Sequence, residues 1–200
     1  MIRSIRLWLG TALVAFALSG AIVIYFTAQD PVKAESRIGG PFELVNTEGE
    51  TVTDEDFEGQ YTLIYFGYTY CPDVCPTTLL HITRALNLLE ESAPAKVEKI
   101  TPIFITVDPE RDTVEQMRTY VTNFHPSLVG LTGNDEQIAK VARRFKVTYW
   151  RVKGGVNSEY TMAHSGYTFV MGPDGDYIDR FDHRVQAKEI ADAMDTLIEG

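Results

Sequence analysis

Apolar and polar positions along this chain alternate between two periods, and the switches between them divide it into elements. Residues 61–66 form a short apolar run rich in β-branched and aromatic side chains, the pattern of a buried strand, and Gly67 ends it. Beyond a short loop, Leu79, Ile82, Leu86 and Leu89 recur at helical spacing. Residues 102–107 predict a second buried strand, stopping at Asp108-Pro109. The run Asp112-Thr113-Val114-Glu115 has the form of a capping box, with Asp112 as a cap, opening a helix that reaches about Phe124. Residues 128–131 predict a short third strand, and Asn134 with Gln137 frames a helix continuing to about Phe145. Residues 147–152 and 156–162, separated by Lys153-Gly154-Gly155, predict a projecting hairpin. Residues 167–171 and 177–181 are strands joined by a Gly-Pro-Asp-Gly turn. Ala187, Ile190, Ala191, Met194, Leu197 and Ile198 make a final amphipathic helix. Upstream, residues 42–46 and 51–52 predict a small hairpin, followed by a short capped helix at residues 53–56. This order predicts an α/β domain with a mixed sheet and helices on both faces. In such sheets the site lies at the C-terminal ends of the parallel strands. The loop after residues 61–66 lies there, and so does Asp108.

The N-terminal end follows a different pattern. Residues 7–26 carry no charged side chain. About 20 apolar residues at about 1.5 Å each span a hydrocarbon core of about 30 Å. Arg3 and Arg6 precede the run, so the positive-inside rule places the N-terminus in the cytoplasm and the rest of the chain outside. A cleaved signal peptide is the rival reading, with Val32-Lys33-Ala34 as its cleavage site, but such peptides have an apolar region of only about 7–15 residues. The expected organisation is a membrane anchor with a short tail over residues 1–28, a polar linker over 29–37 and one domain over 38–200. The absence of a long Arg- and Ser-rich presequence favours a bacterial inner membrane, with the domain in the periplasm, over the mitochondrial inner membrane.

A formal charge of −10 argues against a nucleic-acid partner, because that binding rests on clustered Lys and Arg. The chain has two cysteines, too few for a disulfide framework and enough for one pair. Both lie in Cys71-Pro72-Asp73-Val74-Cys75-Pro76, between the first strand and its helix. Proline favours the first helical position and pushes the preceding residue out of the helical region. The expectation is therefore a helix opening at Pro76, with Cys75 as its cap. A helix N-terminus stabilises thiolate, which is both the nucleophile of disulfide exchange and a ligand for soft metals.

The residues alone leave three readings of the pair: a structural disulfide, a thiol–disulfide redox couple, and a metal site. Three residues between the cysteines, instead of two, depart from the thioredoxin signature. A peroxiredoxin would need a threonine three residues before the attacking cysteine, and Tyr68 and Pro72 occupy those places. Two thiolates favour Cu(I), with Zn(II) as a further candidate if other ligands join. His81, His125 and His183 are expected to be ordinary surface histidines. His164 stands immediately before a sheet strand, at the base of the expected hairpin. Met117, Met162, Met171 and Met194 are scattered and are read as core or gap-filling residues.

Three motifs carry a family resemblance: Gly67-Tyr68-Thr69-Tyr70-Cys71-Pro72-Asp73-Val74-Cys75-Pro76, Val107-Asp108-Pro109-Glu110-Arg111-Asp112-Thr113, and His164-Ser165 before a strand. Together with the N-terminal run they resemble the Sco/SenC family, over roughly residue 38 to the last residue. The resemblance implies a thioredoxin-like fold and a copper-binding protein that assists assembly of the Cu(A) centre of cytochrome c oxidase. It implies Cys71, Cys75 and His164 as ligands of Cu(I) or Cu(II). Asp108, by its position alone, is either the plain end of a strand or a support of those ligands from the edge of the site. Cys71 and Cys75 would form a disulfide when oxidised. The implied partners are the copper-bearing oxidase subunit, other periplasmic copper chaperones and a thiol reductant. One departure is visible: the family commonly has Asp before the His-Ser pair, and here it is Ala163. The resemblance points to a carrier and not an enzyme. Thiol–disulfide reduction of oxidase cysteines and redox or copper sensing are the alternatives.

Overall fold

The computed structural model describes residues 37–155 and 158–198. The N-terminal apolar run and most of the linker lie outside these residues. Among the described residues no helix is long and apolar enough to cross a membrane. Residues 38–200 form a compact unit of their own.

The unit opens with a small antiparallel hairpin, β1 (Glu43–Val45) and β2 (Thr51–Thr53), followed by a 3-10 turn over Asp54–Phe57. Its centre is a five-stranded mixed sheet of order β5-β4-β3-β8-β9. The strands are β3 (Tyr61–Gly67), β4 (Ile100–Thr106), β5 (Val129–Leu131), β8 (Tyr167–Met171) and β9 (Tyr177–Asp182). β3, β4 and β5 run parallel, and β8 and β9 complete the sheet antiparallel. β4 begins two residues earlier than its apolar run, and Pro102 lies inside it. Proline cannot donate to a ladder, and Pro102 stands opposite Leu63 of β3 where β5 has not yet begun to pair.

Helices cover both faces. They are α1 (Val74–Ser92), the single turn α2 (Pro94–Val97), α3 (Val114–Val121), α4 (Asp135–Arg144) and α5 (Ala187–Leu197). Successive strand residues point to opposite faces, so Phe66 and Gly67 mark the two sides. Phe66 meets Phe145 and Phe169, with ring centroids 5.4 and 6.1 Å away, beneath the end of α4. On the Gly67 side lie α1 and its neighbour α5. Leu79, Ile82, Leu86 and Leu89 of α1 are each buried, as the helical spacing predicts. Each contributes about 1.5–3 kcal/mol relative to exposure. The Asn134–Gln137 capping box forms in both directions, each bond at 2.9 Å.

Four local expectations are corrected. α1 opens at Val74 with Asp73 before it, so Cys75 is its second residue and Pro76 its third. The first turn has no intrahelical use for Pro76's missing N–H. The residue four before it, Pro72, lies outside the helix, so the ring meets no helical carbonyl that would move the start to Pro76. Asp112 is not a cap: Thr113 caps α3, its hydroxyl accepting from the Gln116 N–H at 3.3 Å. α3 stops at Val121, short of Phe124. The projecting hairpin lies two residues further along the chain than its apolar pattern. It pairs β6 (Tyr149–Gly155) with β7 (Ser158–His164) as a sheet of its own, and His164 is the last residue of β7, paired with Tyr149.

Candidate metal centre

Three segments build the site, each from the C-terminal edge of the parallel strands. The first is the turn from β3 into α1. Gly67 ends β3, and a Cβ there would lie 2.9 Å from Cys75 Sγ and 2.9 Å from the Phe104 ring. Only glycine lets the buried sulfur sit against the strand end. The turn continues with Cys71 N–H donating to the Tyr68 carbonyl at 3.3 Å, which brings Cys71 back over the start of α1. There Cys71 Sγ accepts from the Cys75 N–H at 3.4 Å, so the first cysteine caps the helix that carries the second.

Both cysteines are free thiols, Cys75 fully buried and Cys71 partly exposed. Their acidities separate. The proton shared from Cys75 brings the Cys71 thiol down to about 5, helped by the backbone N–H groups of Asp73 and Cys75 and opposed by burial. Cys75 moves up, because Cys71 takes its hydrogen bond and burial penalises its charge. The two shifts run in opposite directions, Cys71 towards thiolate and Cys75 towards thiol.

The second segment is the end of β7. His164 Nε2 lies 3.5 Å from Cys75 Sγ, and its Nδ1 lies 3.0 Å from the Ser165 carbonyl. A carbonyl only accepts, so the proton sits on Nδ1 and the Nε2 lone pair faces the sulfur. Burial lowers the His164 pKa and keeps the ring neutral. Tyr65 and Tyr68 hold the imidazole edge-on, with centroids 6.2 and 6.0 Å away. Ala163 pairs with Trp150 on the opposite face of the hairpin from His164. The ring therefore takes its orienting bond from the Ser165 backbone.

The third segment follows β4. Asp108 is buried; it forms an ion pair with Arg111 and accepts from the Tyr160 hydroxyl at 2.9 Å. It thus stands at the flank of the site and reaches the histidine strand through Tyr160. Asp112, also buried, ties the cysteine turn to β4. Its carboxylate accepts from Thr69 N–H at 3.0 Å, Thr69 Oγ1 at 2.6 Å and Thr106 Oγ1 at 2.6 Å.

The other histidines stay apart from this cluster. His81 is half-buried, with Nδ1 2.7 Å from the Val185 carbonyl. His125 is buried, not superficial, with Nδ1 2.7 Å from Ser127 Oγ. His183 is exposed beside Asp182. Met117, Met162, Met171 and Met194 are all core residues. Sequence patterns alone did not single out Arg111, Asp112 or Tyr160 for the site. A usable signal was the Asp108-x-x-Arg111 spacing at a strand end, which sets an acid and a base within reach of each other.

The donors suit a soft ion. Sulfur at about 2.3 Å and imidazole nitrogen at about 2.0 Å from one ion, at a tetrahedral angle, are about 3.5 Å apart. Cys75 and His164 already stand at that separation. Among the described residues no group of three or more His, Cys, Asp or Glu side chains is spread as a ready-made cage. The Cys75 N–H to Cys71 and the close approach of His164 Nε2 to Cys75 Sγ draw the three donors together instead, and an ion would replace the Cys75 proton.

The profile of the SCO1/SenC family matches residues 30–199. An SCO2-like protein of Rickettsia prowazekii is 42% identical over 174 residues, covering 86% of this chain and 80% of its own length. Among solved structures, ScoI of Arabidopsis thaliana with copper bound superposes with a TM-score of 0.75 at 37% identity, covering 80% of this chain and 98% of that one. ScoI of Bradyrhizobium japonicum with copper bound gives 0.72 at 39% identity, covering 80% and 99%.

Proposed function

Because the chain belongs to the SCO1/SenC family, we propose that it is a membrane-anchored copper metallochaperone whose cargo is held by Cys71, Cys75 and His164. Its role in this reading is to assist assembly of the Cu(A) centre of cytochrome c oxidase. The observation that carries the proposal is the 3.5 Å approach of the unprotonated His164 Nε2 to Cys75 Sγ. It places an imidazole lone pair beside a dithiol, a donor set that suits copper in both common oxidation states. Copper bound in two relatives of this chain supports the same cargo. Three protein ligands leave the ion under-coordinated, which allows a receiving site to take it by ligand exchange. The proposed receiver is the copper-bearing oxidase subunit, with other periplasmic copper chaperones and a thiol reductant upstream.

The run at residues 7–26 supports an anchor in the bacterial inner membrane, with the copper-binding domain on its periplasmic side. Asp108 supports the ligands from the flank, through Arg111 and Tyr160. Metal analysis of the purified reduced chain, with an oxidised control, tests the proposal. About one copper per reduced chain is expected, and none held tightly once Cys71 and Cys75 are joined, because a disulfide has no thiolate to offer. Equal loading of the two forms contradicts the reading.

The acidity split of the cysteines favours a second reading, reduction of oxidase cysteines. The partly exposed Cys71 thiolate would attack a partner disulfide, releasing one partner thiolate and forming a mixed disulfide. Cys75, losing its proton, would then attack Cys71 Sγ, releasing the second partner thiolate. The partner gains two electrons and this chain keeps a Cys71–Cys75 disulfide. Turnover on a disulfide substrate that is unaffected by His164→Ala identifies this activity.

A further inference from the structure

The hairpin that carries His164 is hydrogen-bonded to itself and not to the five-stranded sheet. Among the described residues its only ladder link to the cysteine side is β8, which begins three residues after His164 and pairs with β3, so contacts along the hairpin must set how His164 faces the cysteines. At one guanidinium the three segments of the site converge. Arg111 forms its ion pair with Asp108 after β4. It donates from Nη1 to the Tyr160 carbonyl of β7 at 3.1 Å, and its Cζ stands 3.8 Å from the centre of the Tyr160 ring. On the cysteine turn it stands 4.9 Å from the Tyr70 ring and 5.7 Å from the Tyr68 ring. Tyr68 then abuts the His164 imidazole. Arg111 Nη2 is buried without a hydrogen-bond acceptor, so ring faces, not a full set of acceptors, hold that end of the side chain. Tyr160 and His164 are four residues apart on one strand and share a face.

We infer that Arg111 is a positioning residue that clamps the His164 hairpin to the cysteine turn and so sets the sulfur–nitrogen gap for copper. This rests on the ligand assignment above. Planarity of the guanidinium matters here as much as its charge. Lysine at this position keeps a cation for Asp108, but its compact ammonium cannot stack on three rings or hold a fork of bonds. Arg111→Lys should leave the two sulfurs in place, since core packing sets Cys75 while the Cys75 N–H and the Asp112 bonds to Thr69 hold the Cys71 turn, and free the nitrogen to drift. The variant should lose Cu(II) affinity by about 10–100-fold, the usual consequence of removing an outer support of a metal ligand. It should also lose the imidazole nitrogen couplings from its Cu(II) spectrum, while Cu(I) affinity changes much less.

The test titrates the full-length chain in detergent with Cu(I) and Cu(II), and records electron paramagnetic resonance and apo-protein melting for wild type, Arg111→Lys, His164→Ala and the double variant. The expected result is a selective Cu(II) loss in Arg111→Lys that disappears in the His164→Ala background. An unchanged nitrogen signal, equal losses for both ions, or a Cu(II) loss that persists without His164 would each overturn the inference. Equal Cu(II) spectra for wild type and His164→Ala would instead overturn the ligand assignment beneath it. If Arg111→Lys fails to fold, Tyr160→Leu carries the test. It removes the ring at 3.8 Å and the hydroxyl to Asp108 from a half-buried position, and the same selective loss is expected. Full Cu(II) binding by a folded Tyr160→Leu would sink the clamp.

Discussion

The sulfur side and the nitrogen side of the site are built by different means. Cys75 is fully buried in the first turn of α1, against a strand that is paired on both edges. Moving its sulfur requires moving the core. His164 ends a separate hairpin, and a few polar and stacking contacts hold it. The comparison teaches that one site can have a rigid pair of ligands and an adjustable third. For a carrier that must release its cargo, the adjustable ligand is where release can start.

Breaking the sulfur side should have the largest effect. Cys71→Ser and Cys75→Ser should each abolish tight binding of both Cu(I) and Cu(II), measured by competition with chelators, because a hydroxyl is a poor ligand for a soft ion. Tight Cu(I) binding by either variant would show that the dithiol is not the rigid half of the site. Next comes the support of the cysteine turn. Asp112→Ala would strip the partners from the Thr69 N–H and two hydroxyls, so it should destabilise the fold by about 2–3 kcal/mol in urea unfolding. A neutral result would mean that the turn holds its shape without that carboxylate.

Removing the nitrogen side should have a narrower effect. His164→Ala should weaken Cu(II) by about 10–100-fold and change the sulfur-to-copper absorption, with a smaller loss of Cu(I). His81→Ala, His125→Ala and His183→Ala should bind both ions nearly as the parent does, because none approaches the cluster. The smallest expected effect sharpens the comparison from inside the core. The Tyr65 hydroxyl is buried beside the Cys75 sulfur without a well-formed hydrogen bond. Tyr65→Phe should therefore be neutral or stabilising by up to about 1 kcal/mol in thermal melting. A clear loss of stability would reveal a bond from this hydroxyl to the sulfur side.

The same division explains what the chain discloses before it is folded. The sulfur side is local. The strand at residues 61–66, the proline-marked turn and the α1 spacing fall within about thirty consecutive positions, and periodicity reads them directly. The Asn134–Gln137 box is local too, and forms as its spacing predicts. The nitrogen side rests on contacts that no local period reports. Tyr160 and Asp108 are 52 positions apart, and even the cysteine turn leans on one such contact, Asp112 standing 43 positions from Thr69. The capping-box pattern at Asp112 misleads for that reason: the tertiary pull of Thr69 and Thr106 recruits its carboxylate, and Thr113 caps instead. His125 reads as superficial because burial of a single polar residue leaves no periodic trace. The place of His164 before a strand sets it apart in the sequence, and the family resemblance raises it above the other histidines.

Copper K-edge X-ray absorption of the loaded chain measures the central claim most directly, because it counts sulfur and nitrogen neighbours around the ion itself. The Cu(II) form of the wild type should show two sulfur ligands and an imidazole nitrogen, and His164→Ala should keep the sulfurs and lose the imidazole scattering. Imidazole scattering that survives in His164→Ala, or a wild-type site with fewer than two sulfurs, would contradict the assignment of copper to Cys71, Cys75 and His164.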